Sequence, residues 1–353
     1  MPMTKAAINS EHRVPQSGVA AAAVTAVKPE TPSQNPSELG YEATVPRALV
    51  HRRSVAEVFV TDSRQTAPDA FEVAAQLPRG HLMAENPGVH EPLLIIESMR
   101  QAGVLIAHRH MDVPLDTAFI MGTIGFQVDS LEGMRVRSEE PSRLLIHAKA
   151  DTQVNRRGRI LGFDFTGSVD IDGSHVLTAH GSLNFLSKRS YRVLRARGRS
   201  ILNPRTAVLP RLVPVAPAEV GRHNPRNVVI TPPVLSAGLR ASASIVAHFD
   251  HPHLFDHPLD HIPGNLVIEA ARQLAVSGLS RSYGIDPTAL LPVTIAAEFA
   301  EFVESDSIAQ LDARLGELTR DERSGAVVSE VTVDVRQNGA VAGTVRLEVA
   351  QWI

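Results

Sequence analysis

The stretch LLIIESMRQAGVLIAHRH, residues 93–110, is apolar on every side of a helix, yet carries a glutamate, an arginine and a glutamine near its middle. Leu93, Leu94, Ile95, Ile96, Met99, Ala102, Val104, Leu105 and Ile106 leave no polar face, and a helix without one belongs in an interior. A sheet has to wrap it. Glu97 and Arg100 then lie inside as well, where charged side chains are rare unless paired.

A second stretch repeats the pattern. In HPHLFDHPLDHIPGNLVIEAARQLA, residues 251–275, four histidines and three prolines stand ahead of an apolar run carrying Glu269, Arg272 and Gln273. Subtracting 172 places these three on Glu97, Arg100 and Gln101, and places His253-Leu254 on His81-Leu82. Further along, GSVDIDGSHVLTAHGSLNFL (167–186) resembles SEVTVDVRQNGAVAGTVRLEVA (329–350), each alternating about a turn, Asp172-Gly173 or Asn338-Gly339. Such pairs favour tight type I′ hairpins. The chain reads as a domain duplication of class α+β. A long helix enclosed by a curled antiparallel sheet is the hotdog arrangement, so two copies in one chain give a tandem, or double, hotdog fold.

Composition limits what the chain can be. Its 353 residues are 43% hydrophobic and 21% charged, enough for a sizeable core, and the net charge of −3 gives no global attraction to nucleic acid or a membrane. No apolar run reaches the roughly 18 residues of a spanning helix. There is no cysteine, which excludes disulfides and thiolate metal sites and fits a reducing cytoplasm. The run VAAAAVTAV (19–27) lacks the cleavage pattern of a signal peptide. Residues 1–45, rich in Ala, Pro, Ser, Glu and Gln, read as a disordered tail. Hotdog units are expected at 46–190 and 227–353, joined by a basic, proline-rich, extended linker over 191–226.

Four stretches carry a family resemblance: VHRRSVAEVFVTDS (50–63), LLIIESMRQAGVLIAHRH, VPLDTAFIM (113–121) and HPLDHIPGNLVIEAARQ (257–273). They resemble the AfsA-like A-factor biosynthesis hotdog proteins of actinomycetes, the γ-butyrolactone synthases, over roughly 48–353. That resemblance implies condensation of a β-ketoacyl group from acyl carrier protein with dihydroxyacetone phosphate or a related three-carbon unit, giving a phosphorylated butenolide. It implies no cofactor, and leaves a homodimer open. A more distant likeness is to hotdog dehydratases and thioesterases. Where the dehydratase histidine would fall, fourteen positions before Glu269, stands Phe255, flanked by His253 and His257. Dehydration or thioester hydrolysis, and a non-catalytic acyl- or lactone-binding protein, are the alternatives.

The residues suggest a division of labour. A carboxylate in a partly desolvated pocket, with its pKa raised, suits a general base, and Glu269 is the first candidate, with Glu97 its counterpart. Arg272, or Arg100, offers a bidentate fork for phosphate. Glu and Arg three apart on one helix face can equally pair with each other as a structural bridge. Gly264 and Asn265 open the second helix and offer backbone donors to a thioester oxygen; Gln273 and Gln101 orient the acids. His257 or His253 suits a proton shuttle, with His81 and His90 in the corresponding places of the first copy. The histidine spacing matches no zinc signature, so no metal is expected. The basic linker reads as a docking surface for acidic carrier protein or as a solvated connection.

Overall fold

A computed structural model describes residues 38–202, 210–322 and 324–352. The compact unit runs from Leu39 onward. Its elements in chain order are β1 (Val60–Ala67), β2 (Ala70–Leu77), α1 (Pro92–His110), β3 (Ala118–Val128), β4 (Ser142–Val154), β5 (Ile160–Ile171), β6 (Ser174–Leu186) and α2 (Lys188–Leu202). There follow β7 (Val234–Ser236), β8 (Arg240–Ser244), α3 (Gly264–Tyr283), β9 (Leu290–Phe299), β10 (Gln310–Leu315), β11 (Thr319–Arg320), β12 (Val327–Gln337) and β13 (Ala340–Gln351).

The strands form one antiparallel sheet in the order β1-β2-β4-β5-β6-β3-β9-β13-β12-β10-β8-β7. Each half curls about its own helix: α1 packs on β1, β2 and β3, and α3 on β8, β9, β10, β12 and β13. Alternation sets the inner faces, as with Leu311, Ala313 and Leu315 of β10 and Val331, Val333 and Val335 of β12, all buried. Both helices are buried nearly all round, as their composition requires. Type I′ turns close the hairpins, with Asp172 and Gly173 at φ 49° and 80° and Asn338 and Gly339 at 51° and 83°.

The halves join where β3 pairs with β9, Phe126 opposite Ile295 and Thr123 opposite Glu298. Gly125 sits on this seam because a Cβ there would lie 2.2 Å from the Ile295 carbonyl oxygen and 2.8 Å from the His180 ring. The helices themselves touch, so the loop before each one reaches the other half.

The expected extended linker is not extended throughout. Residues 188–202 form α2, since the prolines begin only at Pro204 and KRSYRVLRAR is built mostly of helix formers. Residues 203–209 lie outside the described residues. From 210 the chain is packed as the counterpart of the segment before β1: Val215 N–H bonds Ile230 O at 3.0 Å as Val45 N–H bonds Val60 O at 3.0 Å, and Val220 is buried like Val50. The expected disordered tail, 1–45, falls outside the described residues up to 37. From Leu39 it is ordered instead, with Tyr41 donating to the Leu144 carbonyl at 3.2 Å and Val45 in the core.

Candidate functional site

Each helix carries one buried charge centre, and the two are built alike. Glu97, with no exposed surface, accepts from Arg52 Nε (2.8 Å) and Nη2 (2.5 Å), from Arg100 Nε and Nη2 (both 2.8 Å) and from Gln101 Nε2 (2.6 Å). Glu269, equally sealed, accepts from Arg222 Nε (3.0 Å) and Nη2 (2.9 Å), Arg272 Nε (2.8 Å) and Nη2 (2.7 Å), and Gln273 Nε2 (2.7 Å). Gln101 also ties its helix to the chain ahead of β1, donating to Glu57 O and accepting from Phe59 N–H. Gln273 makes the same pair of bonds with Asn227 O and Val229 N–H.

Burial alone would raise both carboxyl pKa values, but the paired guanidinium groups prevail. Arg100 and Arg52 hold Glu97 well below the usual range, and Arg222 and Arg272 hold Glu269 at about 2. This is the reverse of the raised pKa expected for a base: both acids are ionised, with their oxygens fully engaged by donors. Arg272, expected to be free for phosphate, spends its Nε and Nη2 on Glu269 and donates to Val220 O.

The centres differ in what faces them from the other half. Asp256, in the loop before α3, accepts from the backbone N–H groups of Arg53 and Ser54 at 2.6 and 2.9 Å; Glu85, before α1, does the same for His223 and Asn224 at 2.5 and 2.7 Å. Beyond that likeness, Asn265 donates to Glu97 at 2.8 Å, whereas the matching position at the second centre, 172 earlier, is Leu93. Glu91 bonds Arg222 Nη1 at 2.8 Å and Nη2 at 3.2 Å; its match is Pro263. The first centre thus sets Arg52 and Arg100 against Glu97 and Asp256. The second sets Arg222 and Arg272 against Glu269, Glu85 and the additional Glu91, which bonds Arg222 directly.

A cavity of about 540 Å³ opens at the first centre. Arg52 and Arg100 border it from the first half, and His253, Asp256, His257, Gly264 and Asn265 from the second. Val104, Met121, Leu183, Val267 and Phe299 form an apolar wall, and Leu194 and Arg197 of α2 close one side. Arg195 anchors α2, bonding Glu304 at 2.6 and 2.8 Å and Asp260 at 3.0 Å. Arg100 keeps 19% of its side chain exposed, and none of its bonds to Glu97 or Val50 uses Nη1. Burial pushes His51 down to about 3 and also lowers His257 and His261, so at neutral pH the cations facing the cavity are arginines.

Of the residues singled out in the sequence, Arg100, His253, His257, Gly264 and Asn265 meet at this cavity. Glu97 lies just behind Arg100. Glu269, Arg272 and Gln273 border neither this cavity nor a second one of about 440 Å³ lined by residues such as Val213 and Phe249. His90 is buried away from it, its backbone bonded to Met134. Unforeseen were Arg52, Arg222, Glu57, Asp256 and Glu91. Arg52 and Arg222 had a signal: VHRRSVAEV and VGRHNPRNV align at an offset of 170, just upstream of the repeat already visible.

Glu57, His81 and His253 bring three ligand-type atoms within 4.8 Å of one another. Their donor chemistry disfavours a metal there. His81 Nδ1 accepts from Met83 N–H at 3.1 Å, which leaves the ring proton on Nε2, the atom that would have to coordinate; that Nε2 faces Glu57 at 3.3 Å.

The model of the A-factor biosynthesis hotdog domain matches the chain twice, over residues 33–187 and 205–350. The chain belongs to the A-factor biosynthesis hotdog family. A relative from Streptomyces virginiae named 2-oxo-3-(phosphooxy)propyl 3-oxoalkanoate synthase is 35% identical, the match covering 75% of this chain and 85% of the relative. One of the same name from Streptomyces coelicolor is 32% identical over 74% of this chain and 79% of its own. Among solved structures, the pyran synthase domain from module nine of the sorangicin pathway superposes with a TM-score of 0.49 at 16% identity, covering 84% of this chain and 98% of that one. The hotdog architecture of the family is the one the sheet and helices display, and among the described residues no helix is long and apolar enough to cross a membrane.

Proposed function

We propose that this member of the A-factor biosynthesis hotdog family transfers a 3-oxoacyl group from a thioester to the hydroxyl of dihydroxyacetone phosphate. The product would be the 2-oxo-3-(phosphooxy)propyl 3-oxoalkanoate for which its relatives are named. The observation that carries this reading is the cavity at the first centre, where arginines stand against an apolar wall and both halves contribute. A phosphate needs the first and an acyl chain the second.

Arg100 is the phosphate ligand in this reading, with Arg197 across the cavity. Glu97, ionised and fully bonded, holds Arg52 and Arg100 in place through their Nε and Nη2 groups, and a cation fixed beforehand loses less entropy when its remaining donor, Arg100 Nη1, binds an anion. The first N–H groups of α3, at Gly264 and Asn265, have no acceptor within the helix and suit the thioester oxygen as charge develops there. Glu269, Arg272 and Gln273 make the matching scaffold in the second half, and one cavity serves the chain. Intramolecular attack of the acidic methylene of the ester on the ketone, with loss of water, then closes the butenolide ring. An acyl carrier protein is the thioester donor in this reading, the exposed arginines of α2 beside the cavity suit its acidic surface, and such a donor places the reaction in the cytoplasm.

The test is to mix the purified protein with a 3-oxoacyl carrier protein, or a short thiol mimic, and dihydroxyacetone phosphate, and to follow products by mass spectrometry. The phosphorylated ester or butenolide is expected. Free 3-oxo acid formed without consumption of the three-carbon phosphate would make the protein a thioesterase, and loss of water from a 3-hydroxyacyl thioester would make it a dehydratase.

A further inference from the structure

The acyl transfer proposed above requires a base for the attacking hydroxyl, and neither helix glutamate can serve: each is saturated by arginine donors. The cavity is bordered instead by His253, from the loop before α3. Its Nδ1 lies 2.7 Å from Glu57 Oε2, a residue of the other half, and its backbone carbonyl accepts from Arg52 Nη1 at 3.3 Å. A carboxylate opposite Nδ1 puts the ring proton there and leaves the lone pair on Nε2. That Nε2 is buried and has no hydrogen-bond partner among the described residues. A sealed imidazole nitrogen without a partner is costly in a folded protein and calls for a reason.

We infer that His253 Nε2 is the proton acceptor of the acyl-transfer step, with Glu57 as its positioning residue. The inference rests on the acyl-transfer reading of the cavity. As the three-carbon hydroxyl attacks the thioester carbonyl, its O–H bond breaks and the proton passes to Nε2. The new C–O bond forms, the C–S bond breaks, and the imidazolium returns the proton to the departing thiolate, so that ester and thiol are the only products. Glu57 is suited to its part. Burial would raise its carboxyl pKa, but hydrogen bonds from His253 and His81 prevail and hold it at about 2, so it remains an anion facing the imidazolium as that forms. Glu97, whose charge also reaches His253, adds to that stabilisation, and Arg52 opposes it. Burial lowers the His253 pKa from 6.5, which keeps the lone pair free at neutral pH. The neighbouring His251, lowered to about 4 chiefly by burial, adds no charge there, and His81 Nε2 meets the same Glu57 oxygen at 3.3 Å. His257, the other loop histidine at the cavity, meets Asp256 at 3.4 Å, a longer contact that fixes its tautomer less firmly.

The deciding experiment is single-turnover ester formation by wild type, His253→Asn and Glu57→Gln. Binding of dihydroxyacetone phosphate and the melting transition are measured on the same preparations. Asn at 253 retains a donor near Nδ1 and removes Nε2, so the rate should fall by on the order of 100-fold or more while the phosphate binds as before. Gln at 57 presents an amide that can donate to Nδ1, which moves the ring proton to Nε2, and should cost a comparable factor. The wild-type rate should rise with pH along a limb whose midpoint lies below 6.5, because the base must be neutral, and Glu57→Gln should move that limb. A folded His253→Asn within a few fold of wild type overturns the inference and leaves the acyl-transfer reading standing. So does a stoichiometric metal whose removal abolishes turnover. A wild type that makes no ester overturns the acyl-transfer reading, and this inference with it.

Discussion

Replacing Glu269 by Gln distinguishes a catalytic carboxylate from a structural one, and the geometry gives the size of the effect. The change keeps the shape of the side chain but leaves Arg222 and Arg272 in a sealed site, with Glu91 at 2.8 Å and Glu85 at 3.9 Å as the acids remaining near Arg222. Breaking a buried pair from one side costs about 3–5 kcal/mol. Linkage gives a similar figure by a separate route. The folded carboxyl titrates at about 2 against 4.5 for the free group, a gap worth about 3 kcal/mol. Because the folded value is the lower one, this stability is present in full above about pH 4.5 and is lost as pH falls toward 2. Guanidinium denaturation at pH 7 should therefore show a loss of about 3 kcal/mol or more, and a melting point lower by on the order of 10 °C. The gap between variant and wild type should narrow on acidification through that window. A variant as stable as wild type, but with turnover abolished, would refute this reasoning and restore Glu269 to the chemistry.

Arg100→Ala should weaken dihydroxyacetone phosphate binding by about 2 kcal/mol, read by titration calorimetry, with Arg100→Lys recovering only part because the fork is lost; Arg272→Ala should cost stability but leave the affinity of the folded protein intact. The same calorimetry should give one phosphate site per chain, since Glu91 already occupies Arg222, and a stoichiometry of two would refute the asymmetry. Gly125→Ala should lower the free energy of unfolding, read by denaturant titration, by about 1–3 kcal/mol or more, because its Cβ would meet the Ile295 carbonyl on the seam at 2.2 Å.

The sequence revealed the fold through features that are strictly local or strictly repeated. An apolar helix without a polar face demands an enclosure, and two Asx-Gly pairs demand tight hairpins, so α1, α3, β5–β6 and β12–β13 were all legible. The constant offset disclosed the duplication. What the sequence concealed was the exchange between halves. Nothing near Glu97 shows that its second arginine lies 45 positions earlier, or that Asn265, 168 positions later, completes its shell. The sequence favours Glu269 over Glu97 because of the histidines ahead of it, whereas the centres differ through Glu91 and Pro263, which lie just ahead of the helices of the opposite halves. The linker misled for a simpler reason: its prolines and arginines were weighed together, although the prolines all follow the part that becomes α2.

The asymmetry of the two centres has a physical logic that a fused chain permits and a symmetric dimer forbids. In a homodimer one sequence builds both sites, so a residue that opens one opens the other. Here each site takes its helix from one half and its covering loop from the other, and each position of that loop is encoded separately. Asn265 meets the first centre with a neutral donor, and Arg100, whose Nε and Nη2 bond Glu97, borders a cavity there. Glu91 meets the second with a carboxylate that fills the corresponding role an anion would play. Once Arg222 is neutralised from within, the second centre gains nothing from an external phosphate and serves to pin α3 to the loop ahead of α1. On the proposed acyl-transfer reading, the same ion-pair plan serves as a binding site in one half and a clasp in the other. That reading places the difference in the residues that cover each centre, Asn265 at the first and Glu91 at the second, rather than in the helix motif that both halves share.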